Sequence, residues 1–417
     1  MSSSEWKEYK IKDVCTKIGS GATPRGGASV YLTEGNIKLI RSQNVYNNYI
    51  EYNGLVFIDD NSAEKLKNVV VKENDVLLNI TGDSVARCTI VPKKLLPARV
   101  NQHVCILRAN KEYVDPFYLK SYLVNSKMQD EMLSLANNGG TRAALTKGMI
   151  ENFKIILPNI KEQKAISKIL WSLDKKIENN NKINKKLEQM AQAIFKQWFV
   201  DFEFPNEYGK PYKSSGGEML ESELGRIPKG WKNKELKETI KFNKGKKPKI
   251  ITDKEFDNSK LYLTIDVLNR NSIQYAINDK VVLANKKDIL MVMDGASSGS
   301  LYYGLDGIVG STLSKLVIND EYINEDVLYY FLKLNEFNIK GHLTGSAIPH
   351  TDKEYVNRLI MCIPNDKQLL VRVTKIFSDI REKVIINNEE NSRLIKLRDI
   401  LLPKLMSGEI RVPLGHE

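Results

Sequence analysis

The chain has 417 residues, 42% hydrophobic and 27% charged, with a formal net charge of +12 and a sequence pI near 9.2. That length holds two domains plus connectors, and no apolar run approaches the roughly 18 residues that span a bilayer, so no membrane association is expected and the cytoplasm is the expected compartment. The basic excess favours a polyanion, because each neutralised phosphate releases condensed counterions.

In chain order, Lys17-Ile-Gly-Ser-Gly21-Ala-Thr-Pro24 precedes strand-like runs at Val69–Val71, Val76–Ile80 and Val104–Leu107, parted by Gly, Asn, Asp and Pro. Val114-Asp-Pro-Phe-Tyr-Leu119 opens an amphipathic helix carrying Tyr122, and Ile155-Ile-Leu-Pro158 closes the segment. This spacing predicts a largely antiparallel sheet with one or two helices on it, an α+β domain over 1–158. Asn159-x-x-Glu162 signals a helix start, since Asn caps a free amide and the Glu reaches back. That helix is expected to fill 159–204, running from about Glu162 to near Phe202 and stopping before Pro205. The stretch 205–230, rich in Gly, Ser, Pro and charge, reads as a linker.

The chain then repeats itself. Lys241-Phe-Asn-Lys-Gly245-Lys-Lys-Pro248 answers Lys17–Pro24, and Asp288-Ile-Leu-Met291 answers Asp75-Val-Leu-Leu78. Asp266-Val267 answers Asn44-Val45, Ile323–Leu328 with Phe331 answers the amphipathic helix, and Gly345-Ser346 answers Gly139-Gly140. Met361-Cys-Ile-Pro364 closes a second domain over 231–364. Asn365-x-x-Gln368 predicts the cap of a second helix over 365–408, with Pro403 bending or ending it, Gly408 as a left-handed cap, and 409–417 as a tail. Insertions fall in loops while the elements persist, so two copies of one fold are the economical explanation.

Both helices carry one seam. Ile166, Leu170, Leu173, Ile177, Asn180, Asn184, Leu187, Ala191, Ile194 and Trp198 recur at alternating steps of four and three. Each has a counterpart 207 residues on: Val373, Phe377, Ile380, Val384, Asn387, Asn391, Leu394, Arg398, Leu401 and Leu405. Antiparallel pairing would set Asn180 against Asn391 and Asn184 against Asn387, polar layers that fix register because a slipped amide loses its partner. The expected architecture is two similar α+β domains separated by a pair of long antiparallel helices, a coiled-coil spacer of roughly 50 Å with an internal pseudo-twofold repeat. Parallel pairing between two chains is the competing arrangement.

Catalytic patterns are incomplete. Gly19–Pro24 starts like a dinucleotide fingerprint but has Pro in place of the third Gly, and Gly225-Arg-Ile-Pro-Lys-Gly230 has Trp231 where a phosphate loop needs Lys. Glu162-Gln-Lys164 resembles part of a nuclease cluster without a partner Asp, and no Asn/Asp-Pro-Pro-aromatic segment grips a target amine. Cys15, Cys88, Cys105 and Cys362 lack a C-x-x-C spacing and the histidines His103, His342, His350 and His416 are scattered, so reduced, packed thiols and no metal site are expected. No cofactor is expected in this chain.

Binding candidates cluster in matching polar loops. In the first copy they are Arg25, Arg41, Gln43, Asn44, Ser84, Arg87, Asn101, Gln102, Thr141, Arg142 and Lys147. In the second they are Lys244, Lys246, Lys247, Lys249, Asn269, Arg270, Ser297, Ser298, Ser311, Ser346 and His350. Arg, Asn and Gln can bond purine edges in the major groove, whereas Lys and Ser hold phosphates.

These segments together resemble the specificity (S) subunits of type I restriction–modification systems. The resemblance covers essentially the whole chain and rests on Gly19–Pro24, Ile156-Leu-Pro-Asn-Ile-Lys-Glu-Gln163 with its helix, Trp198-Phe-Val-Asp-Phe202, Leu224-Gly-Arg-Ile-Pro-Lys-Gly-Trp231 and Leu401–Gly408. It implies two target-recognition domains, each reading half of a split double-stranded DNA site, with helix length setting the unread spacer. It also implies two modification (M) subunits supplying S-adenosylmethionine chemistry at adenine N6. Restriction (R) subunits, where present, would bring ATP and Mg. Two departures stand out: the first copy keeps only Trp6 of the Ile-Pro-Lys-Gly-Trp entry, and Gln368-Leu-Leu replaces an acidic-Gln start. The alternatives are a methylation-only complex, a scaffold without DNA selectivity, and a stand-alone nuclease or methyltransferase.

Overall fold

The computed structural model describes residues 6–137, 143–223, 225–277, 279–320 and 322–413. It divides into two compact units, residues 1–179 with 391–417, and residues 180–390.

In the first unit a four-stranded antiparallel sheet runs in the order Cys15–Ser20, Val104–Ala109, Val76–Asn79, Cys88–Ile90. Val76–Asn79 is buried at every position. Val76 and Leu78 join Tyr118, Leu119, Met128 and Met132, whereas Leu77 joins Leu39, Ile40, Ala98 and Val100. Successive side chains leave a strand on opposite faces, so a continuous apolar run is what a strand between two layers requires. Each fully buried Leu or Val contributes roughly 2 kcal/mol of transfer free energy. The second layer is a three-stranded sheet ordered Val56–Ile58, Ile37–Ile40, Ala98–Val100, and its last pair is parallel. Val69–Val71 is not a strand. Val69 ends a short 3-10 turn and Val70 makes one isolated bridge to Arg99, while Val69 and Val71 anchor the second core.

The second unit repeats the topology. Its sheet runs Ile240–Lys244, Leu313–Ile318, Ile289–Val292, Leu301–Tyr302. The parallel pair recurs as Ser259–Leu263 beside Gly307–Val309. An outer antiparallel pair also recurs, Lys7–Lys10 with Lys154–Leu157 in one unit and Trp231–Glu235 with Ile360–Pro364 in the other. The α+β reading and the internal repeat hold, with a parallel pair added in each copy.

Ile160–Phe199 is one helix of 40 residues and Lys367–Ser407 one of 41. Asn159 caps the first as expected, its Oδ1 accepting from the Glu162 N–H at 3.0 Å. The second is capped one residue later than expected, by Asp366, whose Oδ1 accepts from the Gln368 N–H at 2.8 Å. The Asn365 N–H is already committed to the Gly230 carbonyl, which extends the outer strand pair.

Within each unit the two helices pack antiparallel. In the first, Ile166 and Leu170 share a core with Leu402, Leu405 and Met406, and Arg411 bonds Glu162 at 2.6 and 2.9 Å. In the second, Phe195 meets Phe377 with ring centroids 6.1 Å apart. Asn387 Nδ2 donates to Asn184 Oδ1 at 2.7 Å, as the seam predicted, and Asn184 Nδ2 donates to Asn388 Oδ1 at 2.9 Å. Asn180 Nδ2 donates to Glu390 Oε2 at 2.8 Å. Asn391, in the other unit, is 2% exposed.

Arg398, the break in the seam, has a local cause. Its Nη1 lies 3.0 Å from Asp174 Oδ1, and Lys120 Nζ lies 3.0 Å from Asp174 Oδ2. Pro403 does not end its helix, which continues to Ser407. Pro403 lies on the exposed side of the helix, and buried Leu402, Leu405 and Met406 pin the last turn. Gly408 takes φ +77°, the expected left-handed cap.

Inside 205–230, expected to be a linker, Met219–Ser222 pairs with Gly225–Pro228. From this stretch Ile227 buries itself, with Tyr212 and Met219 partly buried, against Phe202, Phe204, Cys362 and Leu369, and Phe204 stacks on Trp231 at 5.0 Å. The polar composition of the stretch masked these few apolar anchors. No helix of the described residues is long and apolar enough to cross a membrane.

Candidate nucleic-acid interface

In each four-stranded sheet two strands end where their common neighbour begins, so their loops converge on one edge. In the first unit Cys15–Ser20 and Val76–Asn79 end beside the start of Val104–Ala109. The parallel pair ends there too, since the Ala22 N–H bonds the Val100 carbonyl and the Asn101 N–H bonds the Ile40 carbonyl, both at 3.1 Å. Gly21 permits this crossing: an added Cβ would lie 2.1 Å from Val100 O and 2.3 Å from Asn101 O. Gly245 does the same in the second unit, 2.2 Å from Gly310 O and 2.3 Å from Val309 O. The glycine that mimics a dinucleotide fingerprint is therefore a steric requirement of two crossing backbones.

On the first edge a polar chain links the loops. Thr23 bonds Gln102 Oε1, Gln102 Nε2 lies 2.8 Å from His103 Nε2, and His103 Nδ1 lies 2.5 Å from Thr81 Oγ1. Arg25, Gln43 and Gln102 are exposed, and Ser84 is half-buried in a 3-10 turn. Arg41 is braced at this edge, donating to the Gly54 carbonyl at 2.6 Å and lying 5.3 Å from the Tyr31 ring centroid. Arg87 stacks on Tyr46, 4.5 Å from its ring centroid, and Tyr46 stacks on Tyr49 at 4.9 Å. The segment beyond residue 142 returns to the edge through Gly82 N–H to Ala143 O and Leu145 N–H to Ile80 O. Lys147 opens the next short helix and pairs with Glu151 at 3.4 Å. Thr141 and Arg142 lie outside the described residues.

Two first-copy candidates turn out to shape loops. Asn44 is fully buried, accepting from the Arg41 N–H at 3.0 Å and donating to the Glu51 carbonyl at 3.0 Å. Asn101 is 6% exposed and its Oδ1 accepts from the His103 N–H at 3.2 Å. A side chain so enclosed holds the loop's conformation while its exposed neighbours are left to face a ligand.

On the second edge Lys244 ends its strand and Lys246, Lys247 and Lys249 follow, all exposed. Asp294 gathers two side chains: its Oδ2 lies 2.9 Å from Lys244 Nζ and its Oδ1 2.8 Å from His350 Nδ1. Burial pushes this carboxyl up, yet bonds from Lys244 and His350 outweigh it and hold the group below its ordinary range. Ser297 and Ser311 are half-buried at this edge and Ser346 is exposed. Ser298 is 1% exposed and donates to the carbonyls of Gly295 and Pro349, so it too is a loop clamp. Asn269 and Arg270 are exposed, and each holds a partner within this unit. Asn269 accepts from the Tyr302 hydroxyl at 3.0 Å, and Arg270 donates to the Asn388 carbonyl of the second long helix at 3.0 Å.

Sequence reasoning missed Asp294 and Thr23. Asp294 could have been found, because it falls opposite Thr81 in the repeat: Ile80 and Met293 both immediately follow matched strands. The described residues hold no group of His, Cys, Asp and Glu able to bind a metal ion. Burial pushes all four thiols up to about 12, and Cys88, Cys105 and Cys362 are buried. Donor-rich, basic loops on one edge of a rigid sheet suit phosphate and base-edge hydrogen bonding.

A family model for the type I restriction modification DNA specificity domain matches residues 3–189 and again 228–396, most of the chain and once per copy. The chain belongs to that family. It is a type I DNA specificity protein, a DNA-recognition component of its system. It is 27% identical over 426 residues to the type I restriction enzyme MjaIX specificity subunit of Methanocaldococcus jannaschii, covering 98% of this chain and 94% of that protein. It is 23% identical over 472 residues to the HindI specificity subunit of Haemophilus influenzae, covering 98% and 100%. A crystal structure of a type I S subunit from M. genitalium shares the fold, with a TM-score of 0.60 at 17% identity over 97% of both chains. The two matched stretches of the specificity family each contain one converging edge.

Proposed function

We propose that each specificity domain reads one half of a bipartite double-stranded DNA target with its converging edge. The observation that carries this is the duplication of that edge on identical strand order, with Gly21 and Gly245 making the same backbone crossing. Exposed Arg25, Gln43, Gln102, Lys246, Lys247 and Lys249, with braced Arg41 and Arg87, are the proposed contacts; Thr141 and Arg142 complete the first set by sequence. The long helices, proposed as the spacer elements over 159–204 and 365–408, set the number of unread base pairs and dock two modification subunits. Those partners supply S-adenosylmethionine and adenine-N6 methyl transfer. Restriction subunits, where they join, supply ATP and Mg chemistry in the cytoplasm. This chain contributes selection and no bond-making step.

The test is DNA selection by the chain assembled with its modification partner. Duplexes retained from a random library are expected to share two short motifs separated by a constant gap. Lys247→Ala should weaken binding uniformly across sequences and make the slope of log affinity against log salt shallower by about one. Selection of no common motif, or an unchanged salt slope, would contradict the assignment.

A further inference from the structure

We propose that Ile348 determines specificity in the second half-site by reading the 5-methyl group of a thymine. The inference rests on the DNA-reading role proposed above and adds a residue and a chemistry to it.

Ile348 sits in a closed loop on the second edge. Thr344 and His350 exchange backbone bonds of 2.9 and 2.8 Å. Gly345, at φ +85°, permits the turn, because an added Cβ would lie 2.4 Å from Ile348 O. The loop is clamped to the sheet from several sides. The Pro349 carbonyl accepts from the Gly295 N–H and from the buried Ser298 hydroxyl, both at 2.9 Å. His350 bonds Asp294, and the Thr351 hydroxyl donates to the Val292 carbonyl at 2.6 Å. Ile348 nevertheless remains 57% exposed, beside Ser346 and His350 on the edge that also carries Lys244.

A single exposed isoleucine is ordinarily of no consequence. This one is displayed by a loop that cannot fold it away, among polar groups suited to DNA. The apolar feature a major groove offers is the thymine methyl, the usual partner of small apolar side chains there. The repeat points the same way. The bridges Thr81 to Ala144 and Asp294 to His350 set Ala144 opposite His350 in the repeat, the same offset as Gly139 and Gly345. By that count Ile348 stands where the first copy has Arg142. Matching positions thus carry a hydrogen-bond donor in one copy and a branched hydrocarbon in the other, which makes the two half-sites chemically unlike.

The experiment uses the full chain assembled with its modification partner and the target that the complex selects. Each thymine of the second half-site is replaced in turn by deoxyuridine, which lacks only the methyl group. The wild-type complex should lose affinity about fourfold at one position, the worth of one buried methyl. Ile348→Val should keep that discrimination, and Ile348→Asn should bind the two duplexes equally. No methyl-sensitive position, or discrimination that survives in Ile348→Asn, would overturn the inference. A complex that selects no sequence at all would instead overturn the reading role, and the inference with it.

Discussion

Glu188 shows what the sequence conceals at the scale of single residues. It occupies a polar flank of the first helix, yet the structure half-buries it with the Tyr303 hydroxyl donating to its Oε1. Burial raises its carboxyl above the ordinary range, and the Tyr303 bond with the charges of Lys333 and Arg381 only partly offsets this. The folded state therefore binds the proton more tightly than the unfolded chain. The stability this contributes is fully present at acid pH, and is lost as pH rises from the ordinary carboxylate value through the raised one. Glu188→Gln should remove that slope, so its unfolding midpoint gains on wild type as pH climbs through the range between the ordinary carboxylate value and the raised one. Thermal unfolding across that range checks it, and a difference independent of pH would refute it. Arg398 was visible as a break in the seam, but its partner Asp174, which Lys120 shares, was not, since tertiary ion pairs leave no periodic signal. Exposed loop candidates were legible as residue types. Asn44, Asn101 and Ser298 were misjudged because a turn-building amide or hydroxyl looks the same in sequence as a ligand-binding one.

At the scale of elements, periodicity carried the long helices and the apolar run carried the central strands. Weaker signals failed for local reasons. Val69–Val71 is β-branched but has no neighbour to pair with beyond one bridge. The cap of the second helix moved to Asp366 because Asn365 was already used by the sheet. Asn184 and Asn387 supply an elemental test, as they bond directly at 2.7 Å in the buried seam. Replacing either alone with Leu should destabilise by about 1 to 3 kcal/mol, because the remaining amide loses a partner away from water. Replacing both should recover much of that loss. Urea denaturation of the four-member cycle measures the coupling. Additive losses would mean that the two amides act independently and that the seam is not held by their contact.

For the molecule as a whole, the duplication visible in sequence returned as duplicated topology, and family membership followed from segments spread along both copies. Strand order and the parallel pair were not legible, because alternation gives faces and not neighbours. Coupling of two reading edges by helices that act as a spacer is the proposal on which the rest depends. Deleting one heptad from each helix, seven residues or about 10 Å of rise, puts it to the sharpest trial. Methylated adenines are mapped in cells expressing the shortened chain with its modification partner. If helix length sets the gap, the same two half-motifs will appear with a gap shorter by about three base pairs at 3.4 Å each. The same motifs with an unchanged gap, or a single uninterrupted motif, would contradict it.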